Sequence, residues 1–192
     1  MIPRRSRLPP MKTILSPALL LSFILSTVAS AQTCREVVRD ASGRVVQTID
    51  RQKQAGGTER AVIRDASGRV IGSATTRTTA GGGGQTTFRD ANGRAAGTAT
   101  THGSSSSASR TTYRDAKGRQ IGSATTHKFS GSGSRTQFRD SSGRLTGTES
   151  SQGNNNTTTR RDANGRYIGK NTGSGVCATG TRVPVPPTGA KK

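Results

Sequence analysis

The stretch TTYRDAKGRQIGSATT, residues 111–126, contains the hexamer that organises the whole chain. Its Arg-Asp-X-X-Gly-Arg frame occurs six times, with a period of 25 residues over the first five copies and 22 residues before the sixth. Regular repetition at this length is typical of repeat architectures, in which each copy is one supersecondary unit. The hexamers begin at Arg39, Arg64, Arg89, Arg114, Arg139 and Arg161.

Each hexamer has the composition of a β-hairpin turn. The aspartate opens the turn, two small or polar residues follow, and glycine takes the left-handed position of a type I turn with a bulge. Threonine pairs and aromatic or β-branched residues flank the hexamer, as strands would. The sequence therefore predicts six β-hairpins. Their turn glycines are Gly43, Gly68, Gly93, Gly118, Gly143 and Gly165.

A three-residue loop, residues 116–118, sets the register that we expect in the fourth hairpin. Tyr113 and Ile121 then form a cross-strand pair, whereas Gly122 and Ala124 lie on the opposite face, beside the arginines. The expected pairs are Asp115 with Arg119, Arg114 with Gln120, and Tyr113 with Ile121. In the other units, the same register pairs Ile63 with Ile71, Phe88 with Ala96, and Phe138 with Thr146.

Stability has to come from contacts between units, because two or three apolar side chains per unit are too few for an ordinary core. We expect an all-β fold of six tandem hairpin repeats of about 25 residues each, which form an extended or folded-back sheet or a β-solenoid. The ring position of the sixth unit is Arg160, so that hairpin is expected to cap the array. The alternative is a disordered chain, which the composition favours and the regular period opposes.

The first 31 residues have the three parts of a secretory signal peptide: a basic start, an apolar run from Ile14 to Val28, and small residues up to Ala31. A membrane anchor is the alternative, but the run is shorter than the ~20 apolar residues that a span needs. We therefore expect export to the periplasm, cell surface or extracellular space, without a membrane span in the mature chain. The predicted repeat domain covers 32–177, and a disordered, basic, proline-rich tail covers 178–192.

Two cysteines flank the repeats, Cys34 before the first hexamer and Cys177 after the last. An even number of cysteines in an exported chain predicts a disulfide bond between them. Two free thiols, or thiols paired between molecules, are the alternative.

The chain is strongly basic, with a net charge of +20 that becomes +16 once residues 1–31 are removed. Such a charge favours anionic partners: extracellular DNA, lipopolysaccharide or acidic polysaccharide. Periodic arginines are the candidate binding residues, and a solvated face that keeps a sheet soluble is the alternative reading of them. The candidates are Arg60, Arg64, Arg89, Arg110, Arg114, Arg135, Arg139 and Arg161.

The sequence offers little for catalysis. His102 and His127 occupy equivalent places in neighbouring units, without a cysteine or a distinctive acid beside them. A small secreted hydrolase that uses them as a base is the alternative to a non-enzymatic protein. The hexamer aspartates lack the ligand spacing of a calcium loop and are interpreted as turn caps. We expect no metal, no cofactor and no small-molecule substrate.

The segments YRDAKGR and FRDANGR, residues 113–119 and 88–94, resemble two families of bacterial surface repeats. One is the YD-repeat of large secreted proteins, from which the chain departs by an extra arginine between ring and aspartate. The other is the cell-wall-binding hairpin repeat, whose ligands stack on aromatic rings, whereas this chain has no tryptophan. The resemblance covers about ten residues of each unit. It implies hairpins and an envelope or extracellular setting, without a ligand.

These observations together favour an exported, non-enzymatic repeat protein with a structural or interaction role at the bacterial cell envelope or surface. The alternative function is binding of anionic polymers through an arginine-rich sheet face.

Overall fold

The computed structural model describes residues 32–54, 56–79, 83–103, 107–129, 133–152 and 156–175. The predicted signal peptide, Cys177 and the predicted tail lie outside these residues. Twelve strands cover most of the described chain. They are β1 (Gln32–Asp40), β2 (Val45–Lys53), β3 (Thr58–Asp65), β4 (Val70–Thr78), β5 (Gly84–Asp90), β6 (Ala95–His102), β7 (Ala108–Asp115), β8 (Gln120–Lys128), β9 (Ser134–Asp140), β10 (Leu145–Ser151), β11 (Thr157–Asp162) and β12 (Tyr167–Gly175).

The strands form one closed antiparallel barrel in which each strand pairs with its neighbours in sequence. Closure comes from pairing of the first and last strands, β1 and β12, from Cys34 opposite Gly175 to Asp40 opposite Gly169. The all-β class is therefore as expected, but the expected extended or folded-back sheet or solenoid is wrong. Closure satisfies the backbone groups of the two edges that an open array would leave unpaired. Since the sixth hairpin pairs with the first, it does not cap an open array.

A β-bulge follows each turn and changes the register that the sequence suggested. Arg114 lies opposite Gln120 as expected, but Tyr113 lies opposite Gly122, and Ile121 is the extra residue. The expected pairs of Tyr113 with Ile121, Ile63 with Ile71, Phe88 with Ala96, and Phe138 with Thr146 are therefore wrong.

The one-residue slip also moves side chains to the other face, because successive residues of a strand point to opposite sides. Ala124 and Tyr113 are both buried in the barrel interior, whereas Arg114 is exposed on the outside. The expected grouping of Gly122 and Ala124 with the arginines was therefore wrong. Ile121 is 47% exposed and takes no part in the core.

Every hexamer forms the same hydrogen-bonded turn. In the fourth unit the Gly118 N–H donates to the Asp115 carbonyl, and the Asp115 N–H donates to the Arg119 carbonyl. Gly118 has φ of 81°, a left-handed conformation in which a Cβ is unfavourable. The aspartate Oδ1 accepts two further backbone N–H groups at 2.9–3.0 Å in all six turns.

A second glycine of the repeat lets neighbouring hairpins approach closely. Gly122 on β8 lies opposite Asp140 on β9, and a Cβ added there would lie 2.6 Å from the Arg139 carbonyl oxygen. This contact is too short for any side chain, so only glycine fits without the strands moving apart. Gly72, Gly97, Gly147 and Gly169 occupy equivalent positions.

The core consists of cross-strand pairs that join a small residue to a larger one. Ala74 lies opposite Phe88, Ala99 opposite Tyr113, and Ala124 opposite Phe138. Between β2 and β3, two large residues, Ile49 and Ile63, take this position instead. Most of these side chains belong to one buried cluster, with Phe138 packed against it.

Threonine hydroxyls form a polar layer next to this cluster. Their Oγ1 atoms are 2.8–2.9 Å apart in the pairs Thr76–Thr86, Thr101–Thr111 and Thr126–Thr136. Each hydroxyl therefore has a partner inside the barrel, which removes the cost of burying it. The described part of the chain contains no helix long and apolar enough to span a bilayer.

Ion pairs occupy the interior where the first units depart from the repeat. The Arg51 guanidinium lies between Glu36, at 2.9 Å, and Glu59, at 3.1 Å. Its side chain is 9% exposed, so both carboxylates serve to neutralise an almost fully buried charge.

Candidate functional site

The outer wall of the barrel carries the candidate arginines, which are spread around its circumference. They lie on alternate strands, β3, β5, β7, β9 and β11, so closure prevents them from facing one partner along a single flat row. Seven of the eight are exposed and Arg64 is half-buried. Arg60, Arg110 and Arg135 lie near one end of the barrel, and Arg64, Arg89, Arg114, Arg139 and Arg161 lie near the turns at the other.

Two of the candidates line one depression in the described part of the wall. This depression has a volume of about 880 Å³ and extends across β1 to β5. Arg60 and Arg89 line it together with Arg35, and the hydroxyls of Ser73 and Thr75 lie between them. Guanidinium groups and hydroxyls on one concave surface can bind carboxylate, sulfate or phosphate groups of a polymer.

Four arginines line the depression, and the fourth, Arg51, is the buried one that two glutamates neutralise. The other three differ in their electrostatics. The Arg35 Nε donates to Asp50 at 2.6 Å, and Arg64 approaches the same carboxylate at 3.5 Å. The hydrogen bond from Arg35 lowers the pKa of Asp50, so this acid stays ionised and neutralises its neighbours. Arg60 and Arg89 form no ion pair with any acid among the described residues. These two arginines therefore supply the net positive charge of the depression.

The first arginine of every hexamer has a structural contact of its own. In each unit its Nη1 donates to the carbonyl of the turn glycine at 2.7–3.1 Å. Arg89, for example, donates to Gly93 at 2.7 Å. This bond accounts for one of five donors, and the others remain available to a ligand. It also fixes the direction of the side chain, which lowers the entropy lost when a ligand binds.

In three of the six turns, the second arginine of the hexamer forms an ion pair with the turn aspartate. The Arg119 Nη2 is 2.8 Å from Asp115, and its side chain is 75% exposed. Burial alone raises the pKa of Asp115, but hydrogen bonds from the backbone and side chain of Arg119 lower it overall. The turn aspartates are therefore acceptors for their own turns, as the sequence indicated, and each one neutralises only part of the charge around it.

The two histidines are exposed and separated by β7. His102 lies opposite Arg110, and His127 lies opposite Arg135. Within the described ranges, no group of three or more histidine, cysteine or acidic side chains is placed to hold a metal ion.

Arg35 is the exposed arginine of the depression that our sequence reasoning missed. It lies four residues before the first hexamer, as Arg60, Arg110 and Arg135 do before later ones. The repeat period could therefore have identified it. That arginines of β1, β3 and β5 line one depression has no comparable signal in the sequence, because it depends on the pairing register across five strands.

Comparison with protein-family models and with curated proteins finds no match. The function is therefore inferred from the sequence and the geometry of the chain.

Proposed function

We propose that the chain is an exported, non-enzymatic interaction protein of the bacterial cell envelope or surface, which binds anionic polymers. The depression that contains Arg60 and Arg89 carries the proposal, because it places two cations without acidic partners beside hydroxyl groups. Extracellular DNA, lipopolysaccharide and acidic polysaccharide all present repeated anionic groups to such a surface. The net charge of +16 expected after export favours the same partners.

Export is proposed from the N-terminal sequence, and a disulfide bond is proposed from the barrel seam. Cys34 on β1 lies opposite Gly175 on β12, and Cys177 follows Gly175 by two residues. A Cys34–Cys177 bond would therefore connect the two strands that close the barrel. In the chain-entropy model, a loop of this length contributes ~5 kcal/mol. Mass spectrometry of unreduced peptides tests the bond, and free thiols in the exported protein would contradict it.

The proposal assigns no catalytic residue. The surroundings of His102 and His127 are exposed and basic, since each lies opposite an arginine. A histidine that acts as a base needs a positioned nucleophile or water and a group that orients the ring. Replacement of both histidines by glutamine is therefore expected to leave polymer binding unchanged.

Binding of labelled heparin and DNA at increasing salt concentrations tests the proposed function. The logarithm of the affinity should fall linearly with the logarithm of the salt concentration. The double variant Arg60→Gln, Arg89→Gln should reduce the slope by about two. A matched variant, Arg110→Gln with Arg135→Gln, removes the same charge outside the depression and should have a smaller effect. Equal losses would show that the depression is not the binding site, and absence of binding to either polymer would refute the function.

A further inference from the structure

The six turns lie together at one end of the barrel and form a basic rim. We define this turn rim as residues 39–46, 64–71, 89–96, 114–121, 139–146 and 161–168. It contains twelve arginines, one lysine and six aspartates, which give a net charge of +7. The sequence period would place these arginines along a line, whereas closure of the barrel arranges them in a ring.

The turn rim also carries nearly all the large apolar side chains that the described residues expose. Six of these seven are on the rim, and only Phe129 lies at the opposite end. They follow the turns because each bulge leaves consecutive residues outside the core. The six are Val46, Val70, Ile71, Ile121, Tyr167 and Ile168, each between 41% and 47% exposed.

Closure of the barrel brings five of these six side chains into one sector. The turn of the sixth unit neighbours that of the first because β12 pairs with β1, and the first neighbours the second because β2 pairs with β3. We define the closure sector as residues 161–168, 39–46 and 64–71. It combines six arginines with Tyr167, Ile168, Val46, Val70 and Ile71.

We propose that the closure sector docks the barrel, end first, onto a lipid surface that contains anionic headgroups. Cations that lie at the level of the headgroups and apolar side chains that reach the acyl boundary are the two elements of peripheral membrane binding. The arginines supply the first element and the bulge residues the second. This inference goes beyond the polymer-binding function, because it concerns another surface and requires apolar side chains to reach the acyl boundary of a bilayer.

The exposed aliphatic side chains favour lipid over nucleic acid at this surface. A hydrated phosphate backbone gains nothing from isoleucine and valine, and binding of single strands relies on stacking with aromatic rings. Tyr167 is the only aromatic residue in the segments of the turn rim. A bilayer, in contrast, removes both the aliphatic side chains and the ring from water.

A tryptophan reporter tests this orientation directly, because the chain contains no tryptophan. Ile168→Trp places the reporter in the closure sector, and Phe129→Trp places it at the opposite end as the matched control. With vesicles of phosphatidylcholine and phosphatidylglycerol, the emission of Ile168→Trp should shift to the blue, and that of Phe129→Trp should not change. Vesicles of phosphatidylcholine alone should shift neither. Equal shifts of both reporters, or vesicle binding without a shift of Ile168→Trp, would overturn the proposal.

Co-sedimentation with the same vesicles measures the contribution of the apolar side chains. Ile71→Ser combined with Ile168→Ser should weaken vesicle binding about tenfold and leave heparin binding unchanged. Phe129→Ser should leave both unchanged, and circular dichroism confirms that each variant is folded. If the protein binds heparin but not the anionic vesicles, the lipid inference is wrong and the polymer-binding function stands. Vesicle binding without heparin or DNA binding would support the lipid inference and refute the polymer-binding function.

Discussion

Glu149 and Arg160 form an ion pair in the position that alanine and an aromatic ring occupy in the three preceding units. The Glu149 Oε1 lies 3.2 Å from the Arg160 Nε, across the β10–β11 pairing that corresponds to Ala124 opposite Phe138. At the junction of the fifth and sixth units, an acid and a base thus replace the small–large apolar couple. The two substitutions compensate each other, because either one alone would leave a charge partly buried without its partner.

Replacement of one member of this pair is therefore expected to cost more than replacement of both. Arg160→Ala should destabilise the barrel by about 1–3 kcal/mol, since it leaves the half-buried Glu149 carboxylate without its guanidinium. Glu149→Ala with Arg160→Phe restores the couple of the other units and should recover most of that loss. Chemical denaturation of the three proteins gives the comparison. Equal stabilities of the single and double variants would show that the two residues are not coupled.

Substitution of either of two glycines of the fourth unit should destabilise the protein, for a different reason in each case. Gly118→Val should destabilise the hairpin by ~1–2 kcal/mol, because its φ of 81° disfavours a side chain although nothing lies within 4 Å of an added Cβ. Gly122→Ala should cost about 1–3 kcal/mol, because its Cβ would meet the Arg139 carbonyl oxygen at 2.6 Å. Lys117→Ala, beside Gly118 and exposed, is the control and should leave the melting temperature nearly unchanged. Thermal melts compare the four proteins, and a melting point of Gly118→Val equal to that of the parent would contradict the turn assignment.

Acid should destabilise the barrel through its turn aspartates. The hydroxyls of Ser42, Ser67 and Ser142 lower the pKa of Asp40, Asp65 and Asp140, respectively, and backbone N–H groups act in the same direction. A carboxyl whose pKa is lower in the folded state contributes stability above the pKa of the unfolded state, about 3.9, and loses it as the pH falls through the folded value.

The melting temperature should therefore change little from about pH 7 to 5 and fall below about pH 4. Replacement of the three aspartates by asparagine keeps a carbonyl acceptor in each turn and should make this acid-induced fall shallower. The other acids of the barrel still titrate in that variant, so the fall should persist in part. Melting temperatures that show the same pH dependence in both proteins would argue against these carboxylates as the source.

The local structure of the hairpins could be predicted from the sequence because turn chemistry is local. The left-handed Gly118, the Asp115 acceptor and the opposition of Arg114 and Gln120 all follow from six consecutive residues. The bulge at Ile121 was not predicted, since the three-residue loop fixes only the first pair of the hairpin and the register changes one residue further on. That single extra residue reversed the expected faces of Gly122 and Ala124.

Closure of the barrel could not be predicted from the repeat pattern. The same hairpin can extend a sheet or curve it, and the choice depends on the number of units, the bulges and the glycines of close approach acting together. The candidate site, too, could be predicted only in part from the sequence. The periodic arginines were found from the sequence, whereas the grouping of Arg35, Arg60 and Arg89 around one depression depends on the register from β1 to β5. The exposed Val-Ile and Tyr-Ile couples after the turns were visible in the sequence, but their meeting in one sector depends on β12 pairing with β1.

Pairing of β1 with β12 is the central claim, and nuclear Overhauser effects between the backbone protons of these strands test it most directly. Val37 and Thr172 are partners in the closed barrel, so their Cα atoms should lie ~5 Å apart and their backbone protons within detection range. An open array separates the same strands by roughly 50 Å, and a sheet folded back on itself leaves about 10 Å between its layers. We predict cross-peaks between the Val37 and Thr172 backbone protons in the oxidised protein. Their absence, in spectra that show the Tyr113–Gly122 cross-peaks of an intact hairpin, would contradict the closed barrel.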